Sequence, residues 1–195
     1  MQDIVLPQNN EAILKKQAHE FDSDLNFVYQ LDSIKSGCGL IIHAINVRDI
    51  NRARQKARNA RFVIANASDE SVIRAIMEAK WIKFFTDIET STGRDHTHYR
   101  RSNFNQVLAK LARDTNKSYI VNFSSLLKVQ GKKRSLLIGR IMQNIRICQK
   151  FKVPISIATF ASNPYELRNP KDLQAVLRAF KTKKIADVEK LLSVS

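Results

Sequence analysis

Cysteine is almost absent from this chain: Cys38 and Cys148 are the only two in 195 residues. The two are isolated, which excludes a disulfide scaffold or a four-cysteine zinc site and fits a reduced, intracellular protein. Glycine is nearly as scarce. The five glycines form neither a GxGxxG loop nor a Walker pattern, and no Gly-x-Ser-x-Gly elbow occurs, so those nucleotide-binding and hydrolase signatures are missing. No apolar run of about 18 residues exists, so no membrane span is expected. The opening MQDIVLPQNN has neither a basic nor an apolar leader segment, so no signal peptide is expected either.

Acid is the most informative shortage. Residues 1–90 carry 12 Lys and Arg against 12 Asp and Glu, whereas residues 91–195 carry 21 against 6, so the whole formal charge of +15 lies in the second half. A surface of this kind favours a polyanion, with RNA or DNA the usual one and an acidic membrane the rival. No strongly basic amphipathic helix stands apart at a terminus to serve a membrane.

Short β-type runs alternate with helical patterns along the chain. Strands are expected at Asp3–Leu6, Asn26–Gln30, Leu40–Ile45, Phe62–Asn66, Ile82–Phe85, Tyr119–Asn122 and Ile155–Ala158, with helices near 10–19, 49–59, 70–79, 103–114 and 133–151. Most of the strands are continuous apolar runs, as parallel strands buried on both faces require. The alternation argues an α/β fold, doubly wound or barrel, and a barrel of this length has to be compact and irregular. No linker or repeat interrupts the pattern, so residues 1–195 read as one domain.

The helical periodicity is clearest in the second half. Phe104, Val107, Leu108, Leu111 and Ala112 form one stripe, and Leu137, Ile141, Ile145 and Cys148 another, which makes Cys148 a core residue. Arg140, Gln143, Arg146 and Lys150 lie opposite the second stripe. Asn163-Pro164-Tyr165-Glu166 and Asn169-Pro170-Lys171-Asp172 each offer an Asn cap, a proline at the first helical position and an acid at the third. In Ser124-Ser125, after a strand, a cap is expected rather than a nucleophile.

Metal chemistry would draw on His43, Asp87, Glu89, His96 and His98, because a two-metal hydrolase needs such side chains converging at strand ends. No strand before residue 40 contributes a ligand, so His43 reads as a hydrogen-bonded core residue and His96 and His98 as parts of a polar loop. Arg100 and Arg101 carry a stronger signal. They precede Ser102 or Asn103, the expected cap of the next helix, where cations oppose the helix dipole. A phosphate resolves that conflict by accepting from free helix N–H groups and from guanidinium forks together. Lys132, Lys133 and Arg134 offer a second cationic helix start, and Arg168, Lys171 and Arg178 a third group.

In order along the chain come HYRRSNFNQVLAKLARDTN, FSSLLKV and RIMQNIRICQKFKVPISIATFASNPYELRNPKDLQAVLR. These stretches resemble the archaeal ribonuclease P protein component 3 family, the counterpart of the thirty-kilodalton subunit of the eukaryotic enzyme. The resemblance is specific from about Arg94 to Arg178 and collinear from Asp3 onward. It implies a compact, irregular TIM-barrel-like α/β fold of about seven parallel strands with flanking helices, related to the polymerase-and-histidinol-phosphatase hydrolases. It further implies a protein that binds the ribonuclease P RNA, and precursor tRNA through the complex, beside a second small protein subunit. Catalysis in that family belongs to the RNA and its magnesium, so no cofactor on the protein and no catalytic or metal-binding residue is expected. The His-x-His that the hydrolase relatives carry on the first strand is replaced here by DIVLP. The residues assigned to RNA are Arg94, Arg100, Arg101, Lys128, Lys132, Lys133, Arg134, Arg140, Arg146, Arg168, Lys171 and Arg178, and the expected compartment is the cytoplasm. A metal-dependent phosphohydrolase on the same barrel and a ribosome-associated RNA-binding module are the alternatives.

Overall fold

The structure is a computed structural model that describes residues 2–90, 95 and 100–193. Seven parallel strands lie side by side in chain order: β1 (Gln2–Val5), β2 (Asp24–Tyr29), β3 (Gly39–His43), β4 (Val63–Asn66), β5 (Phe84–Phe85), β6 (Ser118–Asn122) and β7 (Ile155–Ala158). The sheet nearly closes on itself. Just past β7, Val5 bridges Ala161 in parallel, Phe160 N–H donates to Ile4 O at 2.8 Å, and Leu6 N–H donates to Ala161 O at 3.0 Å. Asp3 strengthens the seam by accepting from Thr159 N–H at 2.8 Å and from the Thr159 hydroxyl. Burial pushes its carboxyl up to about 6 against those Thr159 bonds, which pull it down. The result is a TIM-barrel-like fold with seven strands instead of eight.

Each expected strand is present within a few residues, and the continuous apolar runs fill two layers. Ile4, Val28, Ile41, Phe62, Ile64, Phe84, Ile120 and Ala158 form the barrel interior. Their chain neighbours Leu40, Ile42, Val63, Ala65, Phe85, Tyr119, Val121 and Ile157 pack outward against the helices. Successive strand side chains point to opposite faces, so a barrel wrapped in helices needs apolar residues at both parities.

The helices are α1 (Glu11–His19), α2 (Val47–Lys56), α3 (Glu70–Glu78), α4 (Gln106–Asp114), α5 (Phe123–Leu127), α6 (Gly131–Phe151), α7 (Pro170–Ala179) and α8 (Val188–Ser193). No helix separates β2 from β3. Their ladder is short, pairing Val28 with Gly39 and Tyr29 with Leu40, and this is where the barrel is irregular. At the other extreme α8 inserts Val188 and Leu192 into the inner layer, and Ala186 N–H donates to Ile155 O at 2.8 Å. The final helix thereby stops the end of the barrel from which the strands start.

Several local expectations need correction. Helix α4 begins at Gln106, capped by Asn105, which accepts from Leu108 N–H at 3.0 Å; neither Ser102 nor Asn103 is the cap. Phe104 therefore packs from the loop, Val107 is exposed, and Ala109 takes the buried place beside Leu108 and Ala112. Asn163 caps nothing: Pro164–Glu166 is a single 3₁₀ turn whose Glu166 turns back to Ser162, whereas Asn169 does cap α7 by accepting from Lys171 N–H at 2.9 Å. The helix after β6 is capped by Asn122, which accepts from Ser125 N–H at 3.2 Å, not by a serine.

Candidate nucleic-acid interface

Between β5 and α4, Asp95 and Arg100 lie against the flank of α6, and Asp95 organises this contact. Its Oδ1 accepts from Arg140 Nε and Nη2, each at 2.8 Å, and from Arg101 N–H at 3.1 Å, while Oδ2 faces Arg100 Nη1 at 3.4 Å. Partial burial pushes the Asp95 carboxyl up. The Arg101 N–H bond, the Arg140 bond and charge, and the Arg100 charge outweigh that and hold it below the ordinary carboxylate range. Gln143, one turn along α6, clamps the backbone of Arg100 from both sides: its Oε1 accepts from Arg100 N–H at 2.8 Å and its Nε2 donates to Arg100 O at 2.8 Å.

Gly139 explains how the loop can lie so close. A Cβ at that position would stand 2.3 Å from Arg100 Cζ, so the guanidinium crosses α6 where the helix has no side chain. Asn103 then turns the chain at φ 52°, a left-handed conformation that asparagine tolerates better than most residues. Arg100 and Arg101 border a cavity of about 480 Å³ in front of the α4 N-terminus, shared with Glu70, Asn105 and Gln143. The two arginines line the same cavity as the start of α4, which sits farther along the chain than expected, and Glu70, accepting from Asn105 Nδ2 at 2.7 Å, brings a carboxylate to it.

Arg140 is the clear correction among the sequence-assigned cations. Helical periodicity puts it on the polar face of α6, yet its side chain is 9% exposed and is spent on Asp95 and on Glu89 O at 3.2 Å. It is a buried tie for the loop, not a surface cation. The remaining described candidates are on the surface or near it. Lys128, Lys132, Lys133, Arg134 and Lys171 are exposed and Arg168 is half-buried, all at the end of the barrel where the strands finish. Arg168 lies over the Phe123 ring, 5.8 Å from its centroid. Arg146 is exposed farther down α6, and Arg178 is exposed in the last turn of α7, toward the opposite end. Arg94 lies outside the described residues.

Of the metal candidates, His43 is exposed rather than in the core, with Nδ1 3.0 Å from Asn66 Oδ1. Asp87, at φ 51°, accepts from Asn122 Nδ2 and Ser125 Oγ, each at 2.7 Å; burial raises its pKa against those bonds. Glu89 is fully buried behind the loop and accepts from Asn144 Nδ2 at 3.3 Å. Burial first, then the Asp87 charge, push it up to about 8. His96 and His98 lie outside the described residues. Among the described residues no three His, Cys, Asp or Glu side chains form a group that could hold a metal ion. Sequence reading missed Asp95 as the hub and Gln143 as the clamp; the signal for the latter was its place one turn from Gly139.

The family model described as RNase P subunit p30 matches residues 4–187. A protein named Ribonuclease P protein component 3 from Archaeoglobus fulgidus is 26% identical over 155 residues, covering 80% of this chain and 71% of that protein. One of the same name from Methanocaldococcus jannaschii is 37% identical over 76 residues, which are 39% of this chain and 33% of the relative. A chain in the cryo-EM structure of archaeal Ribonuclease P with mature tRNA has the same fold, with a TM-score of 0.79 at 23% identity over 100% of this chain and 90% of that one.

Proposed function

The chain belongs to the RNase P subunit p30 family, and we propose that it binds the RNA of ribonuclease P and helps that RNA remove the 5′ leader from precursor tRNA. The observation that carries this reading is the clamped pair Arg100–Arg101 beside the α4 N-terminus. Bonds to Gln143 and Asp95 fix the backbone of Arg100 and Arg101, so two arginines line one cavity with little backbone left to order on binding. Around them Lys128, Lys132, Lys133, Arg134, Arg168 and Lys171 supply a cationic field for phosphates. In this reading the one barrel domain carries no cofactor, magnesium serves the RNA, and the work is cytoplasmic beside a second small protein subunit. Among the described residues no helix is long and apolar enough to cross a membrane.

The test is reconstituted precursor-tRNA processing alongside thermal melting, for the Arg100→Ala/Arg101→Ala and the Arg100→Lys/Arg101→Lys variants. Each arginine lost from a phosphate removes a charge-assisted contact of about 1.5–3 kcal/mol, so the Ala pair should process tRNA at least tenfold less well. Lysine should restore part of the loss, since it keeps the charge without the planar fork. Arg100 is 46% exposed and faces Asp95, so melting should fall modestly at most. An Ala pair that processes like the parent refutes the grip.

A further inference from the structure

The opposite end of the barrel carries a second concentration of positive charge. Two adjoining cavities of about 400 and 370 Å³ open where β5, β6 and β7 begin, and they share Lys152 and Pro154. Lys83, Arg113, Lys117, Lys152, Lys183 and Lys184 line them, and among the described residues no carboxylate does. Among the described residues the one ion pair that reaches any of these six is Arg113 with Asp114, at 2.7 Å. Lys83, Lys152, Lys183 and Lys184 make no side-chain hydrogen bond or ion pair among those residues. Lys117 is fully buried, with its ammonium donating to Ala79 O and Ile82 O at 2.7 Å each. Burial first, and then the charge of Lys83, pull its pKa down to about 8. Leu191 of the stopper helix forms part of the wall, so the cations surround a partly apolar groove.

Lys83, Lys152, Lys183 and Lys184, grouped with no acid partner among the described residues, repel one another, and the arrangement is relieved when an anion enters. The helix-entrance site lies at the other end of the strands, of which β6 and β7 are five and four residues long. At about 3.3 Å per residue those ends are about 13–17 Å apart, too far for one phosphate to serve both. We infer that the groove where the strands begin is a second polyanion site, which holds a stretch of RNA phosphate backbone while the Arg100–Arg101 face holds another. The ribonuclease P reading supplies the identity of the polyanion; the groove itself comes from the lining.

The experiment measures binding of the full chain to its cognate ribonuclease P RNA across a potassium chloride series. The groove variant is Lys152→Asn/Lys183→Gln/Lys184→Gln, with asparagine chosen because Lys152 has φ 61°. The control Lys15→Gln/Lys16→Gln/Lys80→Gln removes the same charge from the half of the chain whose net charge is zero. Loss of three phosphate contacts should reduce the steepness of log affinity against log salt by about 2 to 3, with affinity at least roughly tenfold weaker at low salt. The control should keep most of the slope. A second measurement needs no mutant: amine-reactive labelling of the unaltered protein should fall several-fold at Lys152, Lys183 and Lys184 when RNA is added, and stay level at Lys15, Lys16 and Lys80. A groove variant that binds like the control, or labelling unchanged by RNA, overturns the second site. A parent that binds no RNA overturns the functional reading instead.

Discussion

Glu89 sits fully buried beside Asn144, with its acid form favoured up to about pH 8. In the unfolded chain the same carboxyl ionises from about pH 4.5, so between the two values the folded state holds the extra proton. Stability from this group is therefore complete below pH 4.5 and is lost as pH rises toward 8, at about 1.4 kcal/mol per unit. Glu89→Gln should remove that slope while keeping an acceptor for Asn144. The melting advantage of the variant over the parent should widen from pH 5 to pH 8; two curves that run parallel would show that Glu89 does not ionise reluctantly. Its type and position were legible in the sequence, but not its role. A carboxylate after an apolar strand looks the same whether it faces a metal, solvent or the underside of a helix.

Among the elements, α6 shows both the strength and the limit of periodicity. The stripe Leu137, Ile141, Ile145 and Cys148 is buried as expected, because helical spacing alone puts those positions on one face. Arg140 escaped the same logic because Glu89 and Asp95 lie against its side of the helix, and no helical wheel includes a covering segment. Gly139 tests that packing. Gly139→Ala should favour the helix by up to about 1 kcal/mol in isolation. Its new methyl would nonetheless drive the Arg100 side chain away from Asp95, without removing any charge from the protein. Processing of precursor tRNA should drop as far as it does for Arg100→Ala alone, while melting changes by less than about 1 kcal/mol. Parental activity in Gly139→Ala, with a defect in Arg100→Ala, would mean that the charge matters and its placement does not.

At the scale of the whole molecule, a seven-strand barrel must fit large rings into a small interior. Phe62 and Phe84 meet edge-on with centroids 5.9 Å apart, and Gly39 makes room: a Cβ there would stand 2.5 Å from the Phe62 ring. Gly39→Ala should cost about 1–3 kcal/mol through overpacking, read as a lower midpoint in denaturant with an unchanged slope. A midpoint equal to the parent's would show that the interior has slack. The seven strands, the outward and inward apolar parities, the core place of Cys148 and the concentration of charge in the second half all follow from the sequence, because burial pattern and charge count are local properties of the chain. The closure at Asp3 and Thr159, the hub at Asp95, the burial of Arg140 and the sorting of the cations to two ends of the barrel were decided by the tertiary structure. Each joins residues distant in sequence, up to 156 positions apart at the seam, and which partners meet there depends on how the sheet curls and on which loop crosses which helix.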